Sequence, residues 1–163
     1  MAAALPGLDD LRPHLTRGGR LLGLDLGTTT IGLALSDVEY RIATALRTIQ
    51  RTKFREDAAA LQQTCREFGV VGLVIGLPLN MDGSHGPRVQ ATRAFVRNLG
   101  AVLPLPVAVW DERLSTVAAE RVLIAADMSR AKRGAVIDAT AAAYILQGAL
   151  DRLARPQDIT QGP

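Results

Sequence analysis

Three acidic positions stand where a folded chain has little ordinary use for an acid. Asp25 falls inside RLLGLDLG (20–27), the most apolar strand-like segment of the sequence. A carboxylate buried there is costly unless a cation, a donor network or water compensates it. Capping the GTTT turn that follows is the alternative use. Gly23 and Gly27 flank Asp25 and weigh against it, because they leave room for a ligand to approach that face. Asp111 and Glu112 directly follow LPVAVW (105–110). Strand geometry lets only one of two neighbours point at a given face, and spacing does not choose between them. Glu112 could equally pair with Arg113 or cap the next helix. Asp138 heads a helical stripe with Ala142, Ile145 and Ala149, either as a first-turn dipole partner or as a ligand aimed into a site. Acids gathered at one sheet edge repel one another, so they hold Mg²⁺ or Mn²⁺ or shift their pKa values. His14 and His85 are the only histidines, and no His/Cys set of zinc-binding type exists. Hard oxygen ligands with basic flanks point to phosphate chemistry with two metals.

The elements that must position these acids can be read from periodicity. Leu22, Leu24 and Leu26 alternate with Gly23, Asp25 and Gly27, which predicts a strand. The GTTT turn leads into a second alternating segment at 31–36, so the two form a hairpin. A third strand is expected within 41–49, with Ile42, Thr44, Leu46 and Thr48 on one face. Residues 54–68 show helical spacing, with Gly69 as the C-cap. VVGLVIGLP (70–78) is an apolar, β-branched run suited to a strand buried on both faces. A helix over 87–99 follows, with Pro87 in its first turn and Gly100 after it. A short strand at 105–110 and helices over about 115–126 and 134–153 complete the order. Three antiparallel strands followed by alternating strands and helices predict an α/β fold. Its sheet is mixed and five-stranded, three strands antiparallel and two parallel, with helices on both faces. Ligands in such folds gather at the carboxyl ends of the strands.

The length of 163 residues fits one domain, by the rule of roughly 100–200 residues each. We expect a flexible leader over 1–19, the domain over 20–153 and a flexible tail over 154–163. One cysteine, Cys65, cannot form an internal disulfide and suits a reducing, cytoplasmic setting. No apolar run approaches the ~18 residues of a membrane span, and the N-terminus lacks the pattern of a secretory signal. The net charge of +3 is too small to announce nucleic acid, but its distribution says more. Residues 41–55 hold five basic residues and no acid, and residues 113–133 hold five basic residues against two acids. These segments read either as phosphate-neutralising patches or as solvated element ends. Three Phe, two Tyr and one Trp are too few for a base-stacking platform, which leaves backbone or shape as the target.

Four segments together carry a resemblance. LLGLDLGTTTIGLALSD (21–37), GLVIGLPLNMDGSHGPR (72–88), DERLSTVAA (111–119) and AKRGAVIDATAAAYIL (131–146) are similar to the YqgF/RuvX family. These are RNase H-like bacterial proteins described as pre-16S ribosomal RNA nucleases or Holliday junction resolvases. The likeness runs from about residue 20 to residue 153, and the GLPLNMDG and DERLST blocks are its specific parts. It implies an RNase H-like fold in which Asp25, Glu112 and Asp138 are the catalytic, metal-binding acids, with Glu112 preferred to Asp111. Family members often carry Lys or Arg in the turn after DxG, whereas this chain has Thr28, Thr29 and Thr30. Phosphate contact from that turn must then come from hydroxyls or backbone N–H groups.

The implied activity is hydrolysis of phosphodiester bonds in structured nucleic acid by a two-metal mechanism with Mg²⁺ or Mn²⁺. One ion would lower the pKa of a water and the other would stabilise the departing 3′ oxygen. Asp25 is best placed to bridge the two. Thr28, Asn80, Ser84, Arg88, Arg113, Lys132 and Arg133 are the expected substrate-binding residues. The alternatives are turn chemistry for Asn80 and Ser84 and a solvated turn for Lys132 and Arg133. The expected partner is pre-rRNA, with pre-ribosomal particles, or branched DNA, acted on by a monomer or a homodimer. Two competing readings are an actin-like ATPase or sugar kinase, disfavoured by length, and a non-catalytic nucleic-acid-binding factor.

Overall fold

Alternation of leucine with small or polar residues makes β1 (Arg20–Leu26) a two-faced strand, and it lies at the centre of the sheet. The structure, a computed structural model, describes residues 5–114 and 130–155, and over 130–137 the helical backbone alone. β1 pairs antiparallel with β2 (Thr30–Ser36), which pairs antiparallel with β3 (Ala43–Gln50). On its other side β1 pairs parallel with β4 (Val70–Leu77), which pairs parallel with β5 (Val107–Asp111). The sheet order is β3-β2-β1-β4-β5, the mixed five-stranded arrangement expected from the sequence.

Each face of the sheet has its own core. Leu22, Leu24, Ile31, Leu33, Leu73 and Ile75 pack under α1 (Phe54–Phe68) and α2 (Pro87–Val102), meeting Leu61, Cys65, Phe95 and Leu99. On the opposite face Leu21, Ala34, Val74 and Trp110 pack against α3 (Arg130–Leu153), through the fully buried Ala142, Ile145, Leu146 and Ala149. Alanines at the buried positions let a helix of 24 residues lie close across β1, β2 and β3. Among the described residues no helix is long and apolar enough to cross a membrane.

α1 has the predicted bounds because Gly69 ends it in the left-handed region (φ 65°, ψ 40°), donating its N–H to the Cys65 carbonyl. Elsewhere the elements depart from expectation. α2 runs through Gly100 to Val102. That glycine is exposed, does not need a positive φ, and is followed by the buried anchor Leu103, whose N–H bonds the Leu99 carbonyl. In β3 the register shifts opposite Leu33 and Ala34, which pair with Arg47 and Ala45. The extra residue breaks the expected face, and Ile42 lies outside the strand and exposed. α3 begins at Arg130, so Lys132 and Arg133 belong to its first turn and do not precede it.

Part of the segment read as a leader is packed. Leu8 and Leu11 are buried in the α3-side core, and Pro6 accepts a backbone hydrogen bond of 2.9 Å from Val109 on β5. The helix expected over 115–126 and most of the expected tail lie outside the described residues.

Candidate active site

Asp25 is the penultimate residue of β1 and sits directly opposite Gly32 of β2. Opposed residues of an antiparallel pair share a face, so Gly32 shows which way Asp25 points. A methyl group at Gly32 would overlap the backbone carbonyl of Asp138, so α3 lies directly on this glycine and brings Asp138 beside Asp25. On the other flank, Leu24 pairs with Ile75, which puts Gly76 of β4 next to Asp25. A methyl group at Gly76 would lie 2.6 Å from Ile145 Cδ1 on α3, 3.1 Å from Glu112 Cγ and 3.2 Å from Glu112 Cδ. Two bare glycines thus cradle Asp138 and Glu112 on the same face, either side of Asp25. Asp25 is only 6% exposed, while Glu112 and Asp138 are half-buried. The Thr30 hydroxyl donates to Asp138 Oδ2.

Asp111 turns elsewhere. Arg113 donates to it from its backbone N–H (3.0 Å), Nε (3.0 Å) and Nη2 (2.6 Å), and also reaches the Met81 carbonyl from Nη1 (3.4 Å). Of the two neighbouring acids, the geometry therefore brings Glu112 to the Asp25 face and leaves Asp111 clamped to the 78–86 loop. The Arg113 side-chain hydrogen bonds hold the Asp111 carboxyl below its ordinary 3.8. A depressed folded-state pKa gives stability that is complete above the unfolded value and lost as pH falls through the lower, folded one. Urea unfolding of wild type and Asp111→Asn should therefore differ at neutral pH and converge as pH drops below 3.8. A constant difference down to strong acid would show that the clamp carries no such linkage.

The remaining expected contacts sort unevenly. Asn80 Nδ2 donates to Ser84 Oγ (2.9 Å), Ser84 N–H donates to Asp82 Oδ1 (2.9 Å), and Gly83 closes the turn at φ 85°. Asn80 and Ser84 thus spend these donors on loop shape. Arg88, in the first turn of α2, and Thr28, in the β1–β2 turn, are exposed at the surface. Lys132 and Arg133 lie in the first turn of α3, with their side chains outside the description. In the basic stretch 41–55, Arg41, Arg47 and Arg51 face Glu39, Glu67 and Asp57 at 3.6, 3.0 and 3.9 Å, and Lys53 and Arg55 are exposed. The apparent patch is thus largely internal pairing.

Sequence reasoning misassigned Gly23. A methyl at Gly23 would strike Leu146 Cβ at 2.7 Å, so this residue makes room for α3 and not for a ligand. Gly32 and Gly76 carry the site, and strand register, once drawn, identifies both. Thr30 and Arg51 were also missed. Arg51 Nη1 donates to the Gly27 carbonyl at 2.6 Å and anchors the turn after Asp25.

The hard carboxylate oxygens of these three residues suit Mg²⁺ or Mn²⁺ in donor type, and the two glycines place the residues on a common face. Among the described residues, no group of three acidic, histidine or cysteine side chains already forms a metal-ligating set. The fit therefore rests on donor chemistry and placement. Trp110, in register with Gly76, is 7% exposed, and its indole N–H has no hydrogen-bond partner among the described residues.

Comparison with known proteins gives a consistent answer. Residues 19–152 match the family described as RuvX, Holliday junction resolvase. A Cereibacter sphaeroides protein named "Putative pre-16S rRNA nuclease" is 64% identical over 146 residues, covering 90% of this chain and 91% of its own. A Beijerinckia indica protein of the same name is 62% identical over 154 residues, covering 94% and 93%. In structure, RuvC of T. thermophilus in complex with a Holliday junction substrate superposes with a TM-score of 0.53 at 15% identity, covering 85% of this chain and 98% of RuvC. That likeness establishes an RNase H-like fold. With the family match spanning most of the sequence, the chain belongs to the RuvX (YqgF) family.

Proposed function

We propose that this protein is a divalent-metal-dependent endonuclease that hydrolyses phosphodiester bonds in structured nucleic acid, with the 5′ end of pre-16S rRNA as its substrate. The observation that carries the reading is the convergence of Asp25, Glu112 and Asp138 on one face through Gly32 and Gly76. Asp25, Glu112 and Asp138 would hold Mg²⁺ or Mn²⁺, with the buried Asp25 central. When bound, such ions supply a hydroxide nucleophile at neutral pH and neutralise charge on the leaving 3′ oxygen. Asp25 is 6% exposed, and low access of water strengthens a carboxylate's hold on a cation. Arg88 and Thr28, exposed at the surface, supply donors to backbone phosphates, and Lys132 and Arg133 add positive charge in the first turn of α3. Arg113 acts indirectly, keeping the 78–86 loop and Asp111 in place.

The names of the relatives favour pre-rRNA, while the family description favours a four-way DNA junction as the second reading. Resolving a junction symmetrically needs two active sites and so a dimer. The test incubates wild type and Asp25→Asn with a pre-16S 5′-leader RNA and with a four-way DNA junction, each with Mg²⁺, with Mn²⁺ and with chelator. RNA cut by wild type alone, with metal alone, supports the proposal. Selective cutting of the junction, with a dimeric mass in solution, would transfer it to the second reading. Cleavage of neither, with salt-sensitive binding retained, would leave a non-catalytic factor.

A further inference from the structure

The turn between β1 and β2 is tied down from three sides. Gly27 donates its N–H to the Thr30 carbonyl (2.9 Å), and the Arg51 N–H bonds the Thr29 carbonyl (2.9 Å). Arg51 Nη1 reaches the Gly27 carbonyl (2.6 Å). Arg51 is itself fixed, with Nε 3.9 Å from the buried Asp57 and its guanidinium 5.5 Å from the Phe95 ring centre. Thr30 therefore leaves a rigid turn with its hydroxyl already aimed, and the group it meets is Asp138 Oδ2, 108 residues further along the chain.

Asp138 lies on α3, whereas Asp25 comes from β1 and Glu112 from the 3-10 turn Glu112–Leu114 that directly follows β5. The backbone contact at Gly32 sets how closely α3 approaches, but it does not set the torsion of the Asp138 side chain. A carboxylate on a helix can rotate among staggered rotamers. A donor on one oxygen selects among them and leaves the other oxygen to be presented in a fixed direction. We infer that Thr30 is a positioning residue for Asp138: its hydroxyl holds Oδ2 and so orients the carboxylate toward the cation that Asp25 and Glu112 share. This rests on the metal-site reading above. It adds that Thr30, at the end of the threonine-rich turn, serves the acids and not the phosphates of the substrate. Hydrogen bonds of this kind to a ligating carboxylate typically matter by about 10–100-fold in metal affinity.

The test titrates the full-length protein with Mn²⁺ alone by calorimetry, comparing wild type, Thr30→Val and Thr30→Ser. Valine keeps the β-branched shape in the strand and removes the hydroxyl, and serine keeps the hydroxyl. Thr30→Val should bind Mn²⁺ about tenfold more weakly. Thr30→Ser should stay within about twofold of wild type. Melting temperatures within a few degrees of each other would exclude misfolding as the cause. In cleavage assays Thr30→Val should lose kcat with KM for nucleic acid unchanged, as expected of a group that does not touch the substrate. Thr30→Val binding Mn²⁺ as wild type does would overturn the inference while leaving the metal site standing. Equal losses in both variants would overturn it too, because serine keeps the hydroxyl to which the effect is assigned. Wild type that binds no Mn²⁺ would remove the metal site itself, and the inference with it.

Discussion

Asp25→Asn should abolish metal-stimulated cleavage, lowering the rate by about 10³-fold or more, while the protein unfolds at the same temperature or a higher one. Asn is nearly isosteric with Asp and keeps one acceptor oxygen, so packing under α3 is preserved. What it removes is the negative charge at the most buried of the three acids. Keeping a charged carboxylate at 6% exposure on the same face as two other acids costs stability through desolvation and like-charge repulsion, and the amide relieves that cost. Rate and stability should therefore move in opposite directions, which separates a site residue from a structural one. Gel assays of cleavage with thermal melts of the same preparations check both halves. A cleaving Asn variant would refute the role assigned to Asp25. A variant that melted far below wild type would make Asp25 a structural residue.

Gly32→Ala should destabilise the fold by about 3 kcal/mol, the upper end of the range for forcing a methyl group into a packed contact. The obstacle is backbone: the new methyl would overlap the Asp138 carbonyl and lie 2.9 Å from the Ala139 nitrogen, and neither can rotate away. Relief requires the first half of α3 to lift from β2. That would carry Asp138 away from Asp25, so cleavage should fall further than the loss of folded protein explains. Urea denaturation gives the first quantity, and cleavage per folded molecule gives the second. An alanine variant with wild-type stability and rate would mean that α3 does not rest on Gly32 as described.

Legibility from sequence followed the range of the forces involved. The Asp25 strand, the hairpin and the bounds Phe54–Phe68 were readable because alternation, helical spacing and a left-handed Gly69 act within a few residues. Gly100 misled because an exposed glycine can simply continue a helix, where it costs only about 1 kcal/mol relative to alanine. The β3 bulge depends on pairing with β2, which no local pattern records. At the site, the residue types and the stripe from Asp138 to Ala149 were legible. The choice between Asp111 and Glu112 was not, because it turns on Arg113 gripping one and Gly76 making room for the other. The roles of Gly23 and Gly32 follow from where a helix over a hundred residues away comes to rest. Only tertiary packing decides that.

The chain's one indole, on Trp110, supplies a built-in optical gauge of the candidate site. Its ring is shielded from solvent and its N–H has no acceptor among the described residues, so its emission should lie toward the blue. Because β5 carries it alongside Gly76 and two residues before Glu112, a paramagnetic ion seated among the acids should quench that light. Diamagnetic Mg²⁺, added afterwards, should restore the signal by displacement, following occupancy without label, substrate or turnover. A signal indifferent to Mn²⁺ would place any bound ion well away from this edge of the sheet.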